Sequence, residues 1–306
     1  MPPGPSSSPV KRIIAVVGPK GGVGKSTIST NLAVGLTAMG YKVVAVDLDL
    51  GAANLHAMFG LRKVQHTLDD FLLNKVKDLN QLVVDTNIGA LKIICGGDVP
   101  GIASLPYAKK ISLIQHLAKL EGDCLLLDLG AGSSFNVVDF IIIAHKTLMV
   151  TTPEITSLMN VYSFIKTVAH RRLEIFFRRK KSNDLLDLLE KARDPDANPH
   201  LKTMASYFNV ARRIDMDLAN QAQKILAGFE PLIVVNRVET AADANSGEVI
   251  RKLMEQYLDI KSSVVLTIRE DKTLKKSAAM MKPVVLEFPK SSFAVDIMKI
   301  ANLVVA

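Results

Sequence analysis

No stretch of this 306-residue chain holds the roughly 20 consecutive apolar residues that span a bilayer as a helix. An integral helical membrane protein is therefore not expected. The opening Met1-Pro2-Pro3-Gly4-Pro5-Ser6-Ser7-Ser8 has no apolar centre, so it reads as a disordered tail over residues 1–10 rather than a secretion signal. Cysteine is scarce. Cys95 and Cys124 are the only two, each in an apolar run and neither with a CxxC partner. They read as buried reduced thiols of a cytoplasmic protein, and an iron–sulfur cluster is not expected. No internal repeat and no inter-domain linker interrupts the chain, and residues 11–306 read as one large α/β domain. Charge does not choose a partner. Lys and Arg number 38 against 30 Asp and Glu, a formal +8, which favours nucleotide, anionic lipid or DNA alike.

What is present is concentrated first in Val16-Val17-Gly18-Pro19-Lys20-Gly21-Gly22-Val23-Gly24-Lys25-Ser26-Thr27. The apolar run Ile13–Val17 reads as a buried strand, and a helical pattern extends from Ser26 to about Met39. Strand, glycine turn and helix form the context that a phosphate-binding loop requires. Glycines let successive backbone N–H groups point into one concavity. The helix start adds unpaired donors and a positive dipole end. Lys25 supplies a point charge for the terminal phosphates of a nucleotide, and Ser26 a hydroxyl for Mg2+. Pro19 stands where the common pattern has its first glycine, and a second lysine, Lys20, heads the loop.

Further apolar runs alternate with helical patterns: Tyr41–Asp47, Leu91–Cys95, Cys124–Asp128, Thr147–Thr151, Pro231–Asn236 and Ser263–Ile268 as strands. Helices are expected near Lys109–Leu120, Val137–Ala144, Ile155–Arg172, Gly247–Tyr257 and Ser291–Val304. This rhythm predicts a doubly wound, mostly parallel sheet with helices on both faces. From about 168 to 229 no strand is evident, and the segment reads as a helical insertion broken by the Asp194–Pro199 turn.

Ligands of an open parallel sheet sit outside the carboxyl ends of its strands. Asp47 and Asp49 end the second strand, two residues apart and on one side of the pleat. A carboxylate there can orient a water for in-line attack; alternatively, one of the two caps a turn. Asp128 ends another apolar strand, where burial is costly unless a cation, such as Mg2+ reached through water, compensates it. The following Leu129-Gly130-Ala131-Gly132-Ser133-Ser134 reads as a loop that moves between nucleotide states, with a static turn as the alternative. Asn236, with Arg237 beside it, closes a later strand with an amide that can both donate and accept, as an adenine edge requires; the alternative is a strand-end turn residue.

Lys20-Gly21-Gly22-Val23-Gly24-Lys25-Ser26-Thr27 resembles the deviant phosphate loop of the MinD/ParA ATPases. The resemblance implies a P-loop NTPase fold and a homodimer closed by ATP, with Lys20 reaching the partner's phosphates. It further implies that Lys25 acts with Lys20, that Asp49 positions water, and that Asp47 and Asp128 serve the metal beside Ser26. Asn54 matches a switch-region asparagine, Asn236 an adenine contact, and Thr151-Thr152-Pro153-Glu154 the family's T-x-P-E turn. Ile268-Arg269-Glu270-Asp271 resembles its base-side loop, placing Glu270 beside Asn236 and Arg237, although Arg269 replaces the usual proline. Asp128-Leu129-Gly130-Ala131-Gly132-Ser133 is most similar to the FlhG/FleN flagellar-number regulators. The glutamine-containing N-terminal segment of those proteins and the C-terminal basic membrane helix of MinD are not seen. The expected function is a slow, partner-stimulated ATPase switch in spatial regulation of a bacterial cell; a ParA-like module using DNA as its track is the alternative. Arg171–Lys181, basic around Leu173, Phe176 and Phe177, reads either as a surface helix packing on the core or as a contact for membrane, DNA or a protein. Peripheral attachment to the inner face of the membrane would follow from the second reading.

Overall fold

The computed structural model describes residues 11–50, 53–62, 64–97, 106–132, 134–261 and 264–306. The expectations for the tail, Ser133 and Ser263 fall outside these. The strands are β1 (Arg12–Val17), β2 (Val43–Leu48), β3 (Val83–Asp85), β4 (Leu91–Ile94), β5 (Cys124–Leu129), β6 (Lys146–Thr151), β7 (Leu232–Val238) and β8 (Val265–Arg269). Helices α1 (Lys25–Ala38), α2 (Leu55–Met58), α3 (Leu68–Leu72), α4 (Tyr107–Lys119), α5 (Phe135–Ile142), α6 (Ile155–Lys180) and α7 (Asn183–Lys191) occupy the first part of the chain. After them come α8 (Met204–Ile214), α9 (Met216–Ala227), α10 (Ala241–Asn245), α11 (Gly247–Leu258), α12 (Thr273–Met280), α13 (Val284–Glu287) and α14 (Ser292–Val305).

The sheet order is β3-β4-β2-β5-β1-β6-β7-β8, parallel throughout except for the antiparallel β3–β4 edge. Strand residues alternate between two cores. Ile13, Ala15 and Val17 face the side covered by α4, α5, α6 and α11, whereas Ile14 and Val16 face α1, α13 and α14. A central strand buried on both sides has no polar face, which is why these strands read as continuous apolar runs.

Two expectations are corrected. β3 was not expected: its three residues are half-exposed or exposed, too short to show a period, and it forms only because β4 offers an edge. The helical segment does not begin at 168. Residue 168 lies inside α6, one continuous helix of 26 residues that packs on β6 as well as on α7 and α9. After the turn the segment holds α8 and α9, with Asp215 accepting from Leu218 N at 2.9 Å to start the second.

Candidate functional site

The carboxyl ends of β1, β2 and β5 meet at one point, since Asp47 and Asp128 are register partners across β2 and β5, and Val16 pairs with Asp128. The loop leaving β1 turns tightly. A Cβ on Gly18 would come within 2.8 Å of Val150 O and of Val23 Cγ2. Gly22 and Gly24 hold φ of 77° and 96°, a region that costs other residues about 1–2 kcal/mol. Nothing lies within 4 Å of a Cβ on Gly21 or Gly22, so the loop's open side is a cradle lined by backbone. α1 starts there with no acidic residue in its first turn, and its free N–H groups face that cradle. Lys25 is buried and Lys20 is exposed.

The carboxylates across from α1 are under strain from burial. Ser29 Oγ donates to Asp128 Oδ1 at 2.7 Å, and Ser26 is a second side-chain donor to it. Burial first, and the Asp47 charge second, push Asp128 up to about 7 despite those bonds. Burial pushes Asp47 up to about 6, although Leu55 N donates to its Oδ2 at 2.9 Å and Asp49 N to its Oδ1 at 3.2 Å. Asp47 thus ties the segment after Asn54 to the sheet, a turn-capping duty that the aspartate spacing alone left open. Asp49 is raised by burial and pulled back by the nearby Lys25 ammonium. Two buried carboxylates short of cations, with a serine hydroxyl between them and the loop, form the hard-oxygen donor set that suits Mg2+.

A cleft of about 1100 Å³ opens from the loop toward the end of β7. Gly24, Thr27, Asn54, Pro153, Asn236, Arg237 and Glu270 all line it. The structure therefore brings the expected base-side residues to the phosphate loop, but it gives two of them further duties. Asn236 Nδ2 donates to Val23 O at 2.9 Å, and Arg237, itself at φ 60°, donates from its guanidinium to Gly22 O at 2.8 Å. Arg269, in place of proline, bonds Asp296 at 2.8 and 3.0 Å and so fixes the Glu270 loop to α14. Asp271 accepts from Thr273 N, Ser292 Oγ and Phe293 N, starting α12 and holding α14. Thr151 Oγ1 bonds Ser157 Oγ at 3.0 Å, a structural use of the turn before α6. Residues that sequence reasoning missed are Ser29, and Asn31, which accepts from Val285 N at 3.0 Å. The only signal was polar residues inside a buried helix.

The basic segment packs as a surface helix, and Arg178, Arg179, Lys180 and Lys181 on it stay exposed. Leu173 and Phe177 are buried in the core, so they are not available to enter a bilayer. Arg171 bonds Asp139 at 2.9 and 3.2 Å, and Arg178 bonds Glu174 at 2.9 Å. Arg172 stacks over Phe229 at 4.4 Å. Cys95 and Cys124 are buried, pushed up to about 12 and about 11 chiefly by burial, and β2 stands between their strands.

The family model for the CobQ/CobB/MinD/ParA nucleotide binding domain matches residues 14–284. The chain belongs to this family. The match runs through 168–229, the segment read from the sequence as a helical insertion. The antiactivator FleN of Pseudomonas aeruginosa is 34% identical over 164 residues, covering 53% of this chain and 57% of FleN. The flagellum site-determining protein YlxH of Helicobacter pylori is 32% identical over 170 residues, 54% of this chain and 56% of that protein. The chain thus spans little more than half the length of these relatives. The solved septum site-determining protein MinD of Pyrococcus horikoshii, complexed with Mg-ADP, superposes with a TM-score of 0.64 at 23% identity, covering 96% of both chains. This likeness carries the fold, a mostly parallel P-loop NTPase sheet. Among the described residues no helix is long and apolar enough to cross a membrane.

Proposed function

We propose that this member of the MinD/ParA family is a Mg2+-dependent ATPase that switches between a monomer and an ATP-closed homodimer. One observation carries the reading: an open backbone cradle holding a buried Lys25, with an exposed Lys20 at its head, faces two carboxylates that burial has left in need of a cation. Amides of Gly21, Gly22, Val23 and Gly24, with Lys25 and Thr27, bind the phosphates. Ser26 holds the metal, with Asp47 and Asp128 behind it. Bound Mg2+ neutralises charge on the terminal phosphates. Asp49 orients the attacking water. Lys20 crosses to the partner's phosphates, where an added cation is worth on the order of 10³–10⁵ in rate by analogy with arginine fingers. Asn236, whose Oδ1 accepts no hydrogen bond among the described residues, accepts from the adenine amine, and Arg237 and Glu270 border the base. The likeness to FleN and YlxH supports a role in placing or limiting a cellular structure such as a flagellum, exerted through a regulatory partner that reads the closed dimer.

Light scattering with ATP and Mg2+ tests this. The wild-type chain dimerises; Lys20→Ala stays monomeric and hydrolytically inactive while still binding a fluorescent ATP analogue. A variant that dimerises as wild type does would refute the role of Lys20.

A further inference from the structure

Gly130 follows β5 two residues after Asp128, and it is not among the glycines with positive φ. Its backbone would therefore accept a side chain; what it lacks is space. A Cβ there would lie 2.8 Å from Asp49 Oδ1, 3.4 Å from its Cγ and 3.5 Å from its Cα. Asp49 does not line the large cleft, and neither do Lys25 and Ser26 of the phosphate loop. It lines instead a small cavity of about 80 Å³ shared with Gly130, Leu50, Val137 and Phe140. Among the described residues no donor reaches its carboxylate by hydrogen bond, and the positive charge that acts on it is Lys25 of the phosphate loop. The carboxylate thus rests in a small recess beside Gly130 while the field of Lys25 draws it toward the phosphates.

We propose that Gly130 is a positioning residue. Its missing side chain makes the recess that seats the Asp49 carboxylate against the loop after β5 before nucleotide binds. This rests on the reading of Asp49 as the residue that orients water. The loop carrying Gly130 begins at Asp128, which is bonded to Ser29 and Ser26 of α1. Rearrangement at the metal position therefore reaches the recess two residues later and releases Asp49. Gating of this kind is local: the space beside one Cα decides where a catalytic carboxylate waits.

Gly130→Ala fills the recess. The expected result is a several-fold rise in basal kcat with KM for ATP and the affinity for a fluorescent ADP analogue unchanged, and no rise in Gly130→Ala/Asp49→Ala. A kcat equal to or below wild type, with ADP binding intact, overturns the inference. Turnover abolished by Asp49→Ala but untouched by Gly130→Ala sinks it alone; wild-type turnover in Asp49→Ala sinks the parent reading with it. If Gly130→Ala does not fold, a crystal structure of the wild-type chain with Mg2+ and a non-hydrolysable ATP analogue decides. An Asp49 carboxylate still against Gly130 in that complex would overturn the proposal, and one turned toward the phosphates would support it.

Discussion

Replacing Asp128 by asparagine should stabilise the nucleotide-free protein above neutrality while removing its ability to hold Mg2+-nucleotide. Asp128 is buried, and its carboxyl is raised from 3.8 to about 7. At about 1.4 kcal/mol per tenfold in proton affinity, the charged form costs about 4 kcal/mol of stability. The sign follows from which state holds the proton. Below about pH 4 both folded and unfolded chains are protonated at this group, and the cost is absent. Between about 4 and 7 the folded chain keeps a proton that the unfolded chain has lost, so stability falls as pH rises; above about 7 the cost is constant. Asparagine keeps the acceptor for Ser29 Oγ, which stands 2.7 Å away, and carries no charge. Urea unfolding in EDTA, without nucleotide, should show the two proteins alike near pH 4 and the variant more stable by up to about 4 kcal/mol near pH 8. A gap that does not grow with pH would refute the claim that burial of this charge is uncompensated. Isothermal titration at the higher pH should show Mg2+-dependent tightening of ATP binding in the wild type alone.

Gly24→Ala forces a side chain onto a left-handed residue and 2.4 Å from Asn236 Nδ2. The backbone alone costs about 1–2 kcal/mol, so nucleotide affinity measured by fluorescence titration should fall by about tenfold or more; unchanged affinity would show that the loop does not need this turn. Asp139→Asn leaves Lys110, whose Nζ lies 2.5 Å from Asp139 and which is almost fully buried, without its carboxylate. Chemical denaturation should register a loss of about 3–5 kcal/mol, largely restored by Lys110→Met/Asp139→Leu. A loss that persists in the double variant would mean that Asp139 acts mainly through Arg171.

Much of the site was written in local order. Gly21 to Thr27 follow an apolar strand and open a helix, so the cradle is built from neighbours in sequence, and any chain with that order makes it. Asp47 and Asp128 were legible because each ends a run too apolar to be anything but a buried strand. The edge strand β3 was not legible, since three half-exposed residues carry no periodicity and pair only where β4 waits for them. The basic run at Arg171–Lys181 was legible as a helix but not as to which face it buries. Its Leu173 and Phe177 lie in a core completed by α7 and α9, which pack on α6.

By itself, then, the order of residues determined the strand–loop–helix cradle and the parallel sheet around it, because short-range backbone geometry and apolar periodicity need no distant partner. Only the tertiary structure decided that Asn236 and Arg237 brace the loop across more than 200 positions of chain, that Asp128 stands beside Asp47, and that Asp49 lies in the space left by Gly130. Those relations depend on which strands become neighbours in the sheet, and adjacency between distant segments leaves no mark on the composition of either one.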